Sequence, residues 1–329
     1  MAVHRLVLLV VPLALLAGPP AGEAQPARVA RVGYLSSSPS TVFARDPFDS
    51  GLLQGLREQG YTEGRNLAIE YRSAQGRNEN FPALAAELVR LNVDVIVAHS
   101  APAVLAAKQA TTTIPIVLLN VADPVGVGLV ASLARPGGNV TGVSSQAADF
   151  TAKLLQLAKE TVRRLDRVAV ITTPTNPALA ARVRDLEGAA SALSITLDAV
   201  GVGGLPDIQQ AFPKITQRGT HAVVVLADNL IWFHRAPILE LATRSQLPTI
   251  CMFKVWAETG CLLAYGPSLA HMWYQAGVFA GKLLNGASAA TLPVEQPTKF
   301  ELVINAKTAR ALGLAIPSSV LARADHVIE

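Results

Sequence analysis

Cysteine, aromatics and charge are all scarce in this chain of 329 residues, which has 2 cysteines, 5% aromatic residues and 16% charged residues. Two thiols, Cys251 and Cys261, are too few for a disulfide-rich scaffold or an all-cysteine zinc centre. The histidines beyond the N-terminus, His99, His221, His234, His271 and His326, are scattered, with no helical pair and no cysteine at zinc spacing, so no metal site is expected. The net charge is +4, yet no basic block is interleaved with aromatics, which argues against nucleic acid as a partner. There is no nucleophile elbow, no Walker loop and no constellation of acid, base and nucleophile, so no catalytic residues are expected. Gly126-Val127-Gly128 follows a strand and imitates a dinucleotide fingerprint, but it stands after the fourth strand and lacks the acidic residue that would hold a ribose. No cofactor is expected.

What the chain does have begins at its first residues. His4 and Arg5 form a basic patch, Leu6 to Ala17 an apolar stretch, and Gly22-Glu23-Ala24 a small-residue cleavage site, so residues 1–24 read as an export signal. Pro19 follows Leu16-Ala17-Gly18 where a lipoprotein would carry its cysteine, so the mature chain is expected to diffuse freely in a periplasm rather than to be lipid-anchored. No later apolar run reaches the roughly 18 residues of a membrane span. In an oxidising compartment Cys251 and Cys261 either pair or pack as two small buried thiols, and the sequence leaves both open.

Behind the leader, β-branched runs alternate with amphipathic stretches. Strands are expected at Val29–Ser36, Leu67–Ser73, Val93–His99, Pro115–Val121 and Val140–Val143. Helices are expected between them at Pro47–Gln59, Phe81–Leu91, Ala101–Ala110 and Val125–Ala134. A second series follows, with strands at Arg167–Thr172, Thr196–Val200, Ala222–Ala227, Thr249–Met252 and Leu262–Tyr265. Its helices fall at Thr151–Val162, Ala178–Ala192, Asp207–Gln217 and Ile231–Ser245. The unbroken apolar run around Val95-Ile96-Val97 suits a strand covered on both faces, hence a parallel sheet. A long helix, Leu269–Leu284, a further strand, Phe300–Asn305, and a closing helix, Ala306–Leu312, complete the pattern. The fold class is therefore α/β, with two Rossmann-like three-layer lobes. The late helix and strand imply that the chain crosses between lobes more than once, forming a hinge. The first lobe is expected to comprise 28–144 with about 267–294, and the second 145–266 with about 295–329.

Several runs carry a resemblance to a known family. They are Glu63 to Arg72, Leu84-Ala85-Ala86-Glu87-Leu88-Val89, Asp123-Pro124-Val125-Gly126, Ala134 to Gly142, and Gln296 to Asn305 continuing through Ala309 to Gly313. Together they resemble the ABC transporter substrate-binding proteins, the family that includes tryptophan and other aromatic amino-acid binders. The resemblance implies a type I periplasmic-binding-protein fold with three crossings and a ligand held between the lobes. It also implies delivery of that ligand to a membrane permease driven by a separate ATPase, with no chemistry on the ligand. The expected function is thus the periplasmic solute-binding component of an importer, a monomer taking an amino acid or similar small carboxylated molecule. The alternative is an extracytoplasmic sensing module that reports to a membrane receptor or kinase without transport.

In open α/β sheets ligands bind beyond the carboxyl ends of the strands, which nominates residues by position. In the first lobe these are Ser36, Ser37 and Ser38, then Ser100 with Ala101, then Asn120 to Asp123. In the second they are Thr173 and Asn176, Asp228 and Asn229, and Tyr265. A Ser100 cap on the helix starting at Ala101 would offer amide groups and a positive dipole end to a carboxylate. Asp123 or Asp228 would meet an amine, although an Asp at such a position also commonly caps its own loop. Tyr34, Phe43, Trp232 and Phe253 are candidate aromatic walls, or else core.

Overall fold

A computed structural model describes residues 29–37, 47–145 and 150–329. The leader, Ser38 and Phe43 lie outside the described residues. Five parallel strands build the first sheet: β1 Ala30–Ser36, β2 Leu67–Ser73, β3 Val95–His99, β4 Ile116–Val121 and β5 Val140–Ser144, in the order β2-β1-β3-β4-β5. Its first helices are α1 Pro47–Glu58, α2 Phe81–Arg90 and α3 Ala101–Ala110. All five residues of β3 are buried, as a strand covered on both faces requires.

The second sheet is larger. Its strands are β6 Arg167–Thr172, β7 Thr196–Gly201, β8 Ala222–Val225, β9 Thr249–Cys251, β10 Leu263–Pro267, β11 Phe300–Asn305 and β12 His326–Ile328, in the order β12-β11-β10-β9-β8-β6-β7. Neighbours run parallel except β10 and β11, which pair antiparallel. The accompanying helices are α4 Phe150–Thr161, α5 Pro177–Ala192, α6 Leu205–Gln217, α7 Asn229–Phe233, α8 Arg235–Arg244, α9 Lys254–Thr259, α10 Leu269–Leu284, α11 Ala306–Ala311 and α12 Ser318–Leu321. Among the described residues no helix is long and apolar enough to cross a membrane.

Although α10 follows a strand of the second sheet, it packs on the first, against α1 and the β3–β5 strands. Glycines on the two helices permit the close approach. A Cβ on Gly55 would stand 2.1 Å from the Tyr274 carbonyl oxygen, and one on Gly277 would stand 2.1 Å from that of Leu52. The chain then runs beside β5, where the Glu295 amide donates to the Gly142 carbonyl (2.9 Å) and the Ser144 amide to the Glu295 carbonyl (2.9 Å), before entering β11. It thus passes from sheet to sheet between β5 and β6, between β10 and α10, and again between Glu295 and β11.

Two expected helices take other forms. The stretch Val125–Ala134 forms turns instead of a helix. Asp123 accepts the Gly126 amide (2.8 Å) and starts a single turn, which ends where Gly128 takes φ +72°. Ile231–Ser245 is broken into α7 and α8 at His234. Pro237 lacks an amide hydrogen, and its ring would clash with the carbonyl of Phe233 four residues back, which disfavours one continuous helix. α9, α12 and β12 arise in stretches where the sequence predicts no element, and all three are 6 residues or shorter. Cys251 and Cys261 form a disulfide, with Cα atoms 6.5 Å apart.

Candidate functional site

Both sheets point their carboxyl ends at one cleft. The first lobe contributes Asn78, His99, Ser100, Ala101, Pro102, Asn120, Val121, Ala122 and Ser145. The second contributes Asn176, Leu179 and Arg182 after β6, Ala227, Asp228, Asn229 and Trp232 after β8, and Met252 and Phe253 after β9.

The first-lobe wall is backbone-shaped. Ser100 and Asn120, at the ends of β3 and β4, take φ +84° and +60°; asparagine visits the left-handed region readily, whereas a serine there is uncommon. Ser100 occupies the N-cap position of α3, but its hydroxyl makes no cap bond; it accepts from the Asn229 amide nitrogen at 3.2 Å. The first turn of α3 therefore meets the cleft without a capping side chain, which leaves its dipole end facing the ligand space. Behind this wall His99 is buried, and desolvation lowers its pKa to about 4, so the ring is neutral at neutral pH. Asn120 Nδ2 sits 3.3 Å from His99 Nε2, and the ring packs edge-on against Trp273 of α10, 4.8 Å between centroids.

The second lobe supplies the charges. Asp228 caps α7, its Oδ1 accepting the Ile231 amide at 2.9 Å, while its Oδ2 lies 3.4 Å from Asn176 Nδ2. Arg182, on the second turn of α5, is buried with its guanidinium 3.7 Å from the Met252 sulfur. Burial lowers its pKa to about 10, with Asp185 opposing the shift, so it remains a cation at neutral pH. Trp232 and Phe253 form an aromatic corner, 6.3 Å between centroids, backed by Trp256 at 6.0 Å from Trp232.

Of the residues nominated by strand position, Ser100, Ala101, Asn120, Val121, Ala122, Asn176, Asp228 and Asn229 meet in this cleft. Ser36, Asp123, Thr173 and Tyr265 do not line it. Ser36 is buried at the end of β1, and the Asp123 carboxylate holds its own turn. Thr173 is buried with Oγ1 unpartnered. Tyr265 sits in β10, paired with Leu302 and stacked on Phe300 at 6.0 Å. Tyr34, offered as a cleft wall, is core, its hydroxyl accepting the Trp273 indole hydrogen at 2.9 Å. Strand position alone does not reveal Arg182, Asn78 and Met252. Arg182 lies inside a helix, Asn78 on a short 3-10 turn beyond β2, and Met252 is the last residue of an expected strand. Among the described residues no cluster of three potential metal ligands occurs.

The sequence profile of a family described as ABC transporter substrate binding protein matches residues 42–328. A protein from Clostridioides difficile (strain R20291) named tyrosine-binding protein is 29% identical over 269 residues, covering 82% of this chain and 77% of that protein. Among solved structures, an ABC domain from Streptococcus pneumoniae in complex with L-Trp superposes with a TM-score of 0.84 at 26% identity, covering 91% of this chain and 99% of the other. The ligand-free, open structure of a substrate-binding protein with adhesive properties from Clostridium difficile is also 26% identical, covering 92% and 99%, but its TM-score is 0.68.

Proposed function

The chain belongs to the ABC transporter substrate-binding protein family, with a type I periplasmic-binding-protein fold, and on that premise we propose that it captures an aromatic L-amino acid outside the cytosol for a membrane permease. The observation that carries this reading is the charge pattern of the cleft: one buried cation, Arg182, and one carboxylate, Asp228, share a space walled by Trp232 and Phe253. A free amino acid is a zwitterion. Its carboxylate is matched by Arg182, whose charge is already desolvated, and by the uncapped turn of α3, and its ammonium by Asp228. The aromatic corner suits a ring in edge-to-face contact. The Clostridioides relative named for tyrosine and the Streptococcus structure in complex with L-Trp support the same class.

The test is thermal denaturation with L-tyrosine, L-tryptophan and L-phenylalanine, followed by calorimetry on any hit. A ligand at a hundred times its Kd stabilises the fold by about 2.7 kcal/mol. No shift with any of the three, alongside a shift with a sugar or an aliphatic acid, would overturn the reading.

A further inference from the structure

The polar pairs in the cleft wall close within one lobe, as Asn120 does with His99 and Asn176 with Asp228. Asn229 does not. It stands at the start of α7 in the second lobe, and it is 7% exposed. Its side chain bonds across the cleft to the first lobe at both ends of the amide. Oδ1 accepts from the Ser37 hydroxyl at 3.1 Å, and Nδ2 donates to Asn78 Oδ1 at 2.7 Å and to Ser100 Oγ at 3.2 Å. An amide nitrogen carries two hydrogens, so both are engaged by the opposite lobe and none is left for a ligand. Four residues along α7, Phe233 rests on the same first-lobe loop. A Cβ on Gly76 would meet Phe233 Cδ2 at 3.2 Å, and Gly76 holds φ +77°. The five-residue α7 thus reaches across the cleft mouth with an amide at one end and a ring at the other.

We propose that Asn229 is an interlobe latch: a positioning residue that holds the cleft closed through Ser37, Asn78 and Ser100 and leaves ligand recognition to its neighbours. Bonds that exist only when the lobes meet act on the equilibrium between open and closed forms, not on the folding of either lobe. Because the three bonds belong to the closed arrangement alone, they shift the open–closed equilibrium toward closure and raise affinity for whatever the cleft accepts.

Small-angle scattering of the ligand-free chain tests this, and because it uses no ligand it stands whether or not an aromatic amino acid binds. Asn229→Ala should lower the closed-to-open ratio by about tenfold or more, given roughly 1 kcal/mol per neutral hydrogen bond, seen as a larger radius of gyration with an unchanged far-ultraviolet spectrum. Asn78→Ala, at an exposed position of the first lobe, should open the protein in the same direction. The double variant should open it by less than the sum of the two, because they share one bond. Scattering of Asn229→Ala superimposable on the parent chain, or fully additive effects of the two substitutions, would overturn the proposal.

Discussion

The guanidinium of Arg182 lies 3.7 Å from the sulfur of Met252, which joins the second turn of α5 to the residue that leaves β9. A thioether is a weak acceptor, so this contact fixes where the guanidinium sits while drawing off little of its charge. Met252 follows Cys251, and the disulfide to Cys261 closes a loop that carries Met252, Phe253 and Trp256. The cation and the aromatic corner are therefore held by one covalently closed segment.

Arg182→Met should separate binding from folding. Burial penalises the Arg182 charge, and an apolar chain of similar length removes that desolvation cost, so the melting temperature should hold or rise. Affinity for L-tyrosine or L-tryptophan should fall by about a hundredfold, the loss of one charge-assisted contact of roughly 3 kcal/mol. Calorimetry on the variant and parent checks both halves, and unchanged affinity would remove Arg182 from the site.

Asp228→Asn should discriminate among ligands. Asn caps helices as well as Asp does, so the bond to the Ile231 amide survives and α7 stays in place. The negative charge is lost, and with it the match to an ammonium group. Affinity for L-phenylalanine should drop at least about tenfold, whereas 3-phenylpropionate, which lacks the amine, should bind variant and parent alike. An equal loss for both ligands would assign Asp228 a purely structural role.

The strands were legible because burial on both faces leaves a continuous apolar signature, as in Val95-Ile96-Val97. The cleft's location followed from the ends of those strands, and Ser100, Asn176 and Asp228 stand at such ends. Arg182 was hidden because nothing in a helical arginine's neighbours along the chain distinguishes a head turned into a cleft from one turned to solvent. The break at His234 was readable in principle, since Pro237 disfavours a continuous helix, but the apolar periodicity of Ile231–Ser245 runs through it. The turn at 123–128 misled for the opposite reason: Asp123 starts a helix-like turn that Gly128 at once reverses.

Removing the disulfide by Cys251→Ala with Cys261→Ala should lower stability by about 2.5 kcal/mol, the loop-closure entropy of a ten-residue segment. The same variant should weaken binding of an aromatic amino acid at temperatures well below its midpoint, because Met252 and Phe253 lose their anchor. Denaturant titration and calorimetry report the two effects separately. A stability loss with unchanged affinity would confine the disulfide to folding.

His99 predicts how stability varies with acidity. Its folded pKa is lowered to about 4 by burial, against 6.5 for an unperturbed histidine. Between those values the unfolded chain binds a proton that the folded chain refuses, so the stability His99 contributes is complete above pH 6.5, falls as the pH drops through the window, and is gone near pH 4. The full difference is on the order of 3 kcal/mol. His99→Asn, which keeps a polar group but cannot titrate, should therefore show a flatter profile between pH 6.5 and 4 in urea denaturation. Its curve should run parallel to that of the parent chain above about pH 7. If the two curves keep the same slope throughout that window, another group carries the acid sensitivity and the ring at the end of β3 is protonated as readily in the folded state as in the unfolded chain.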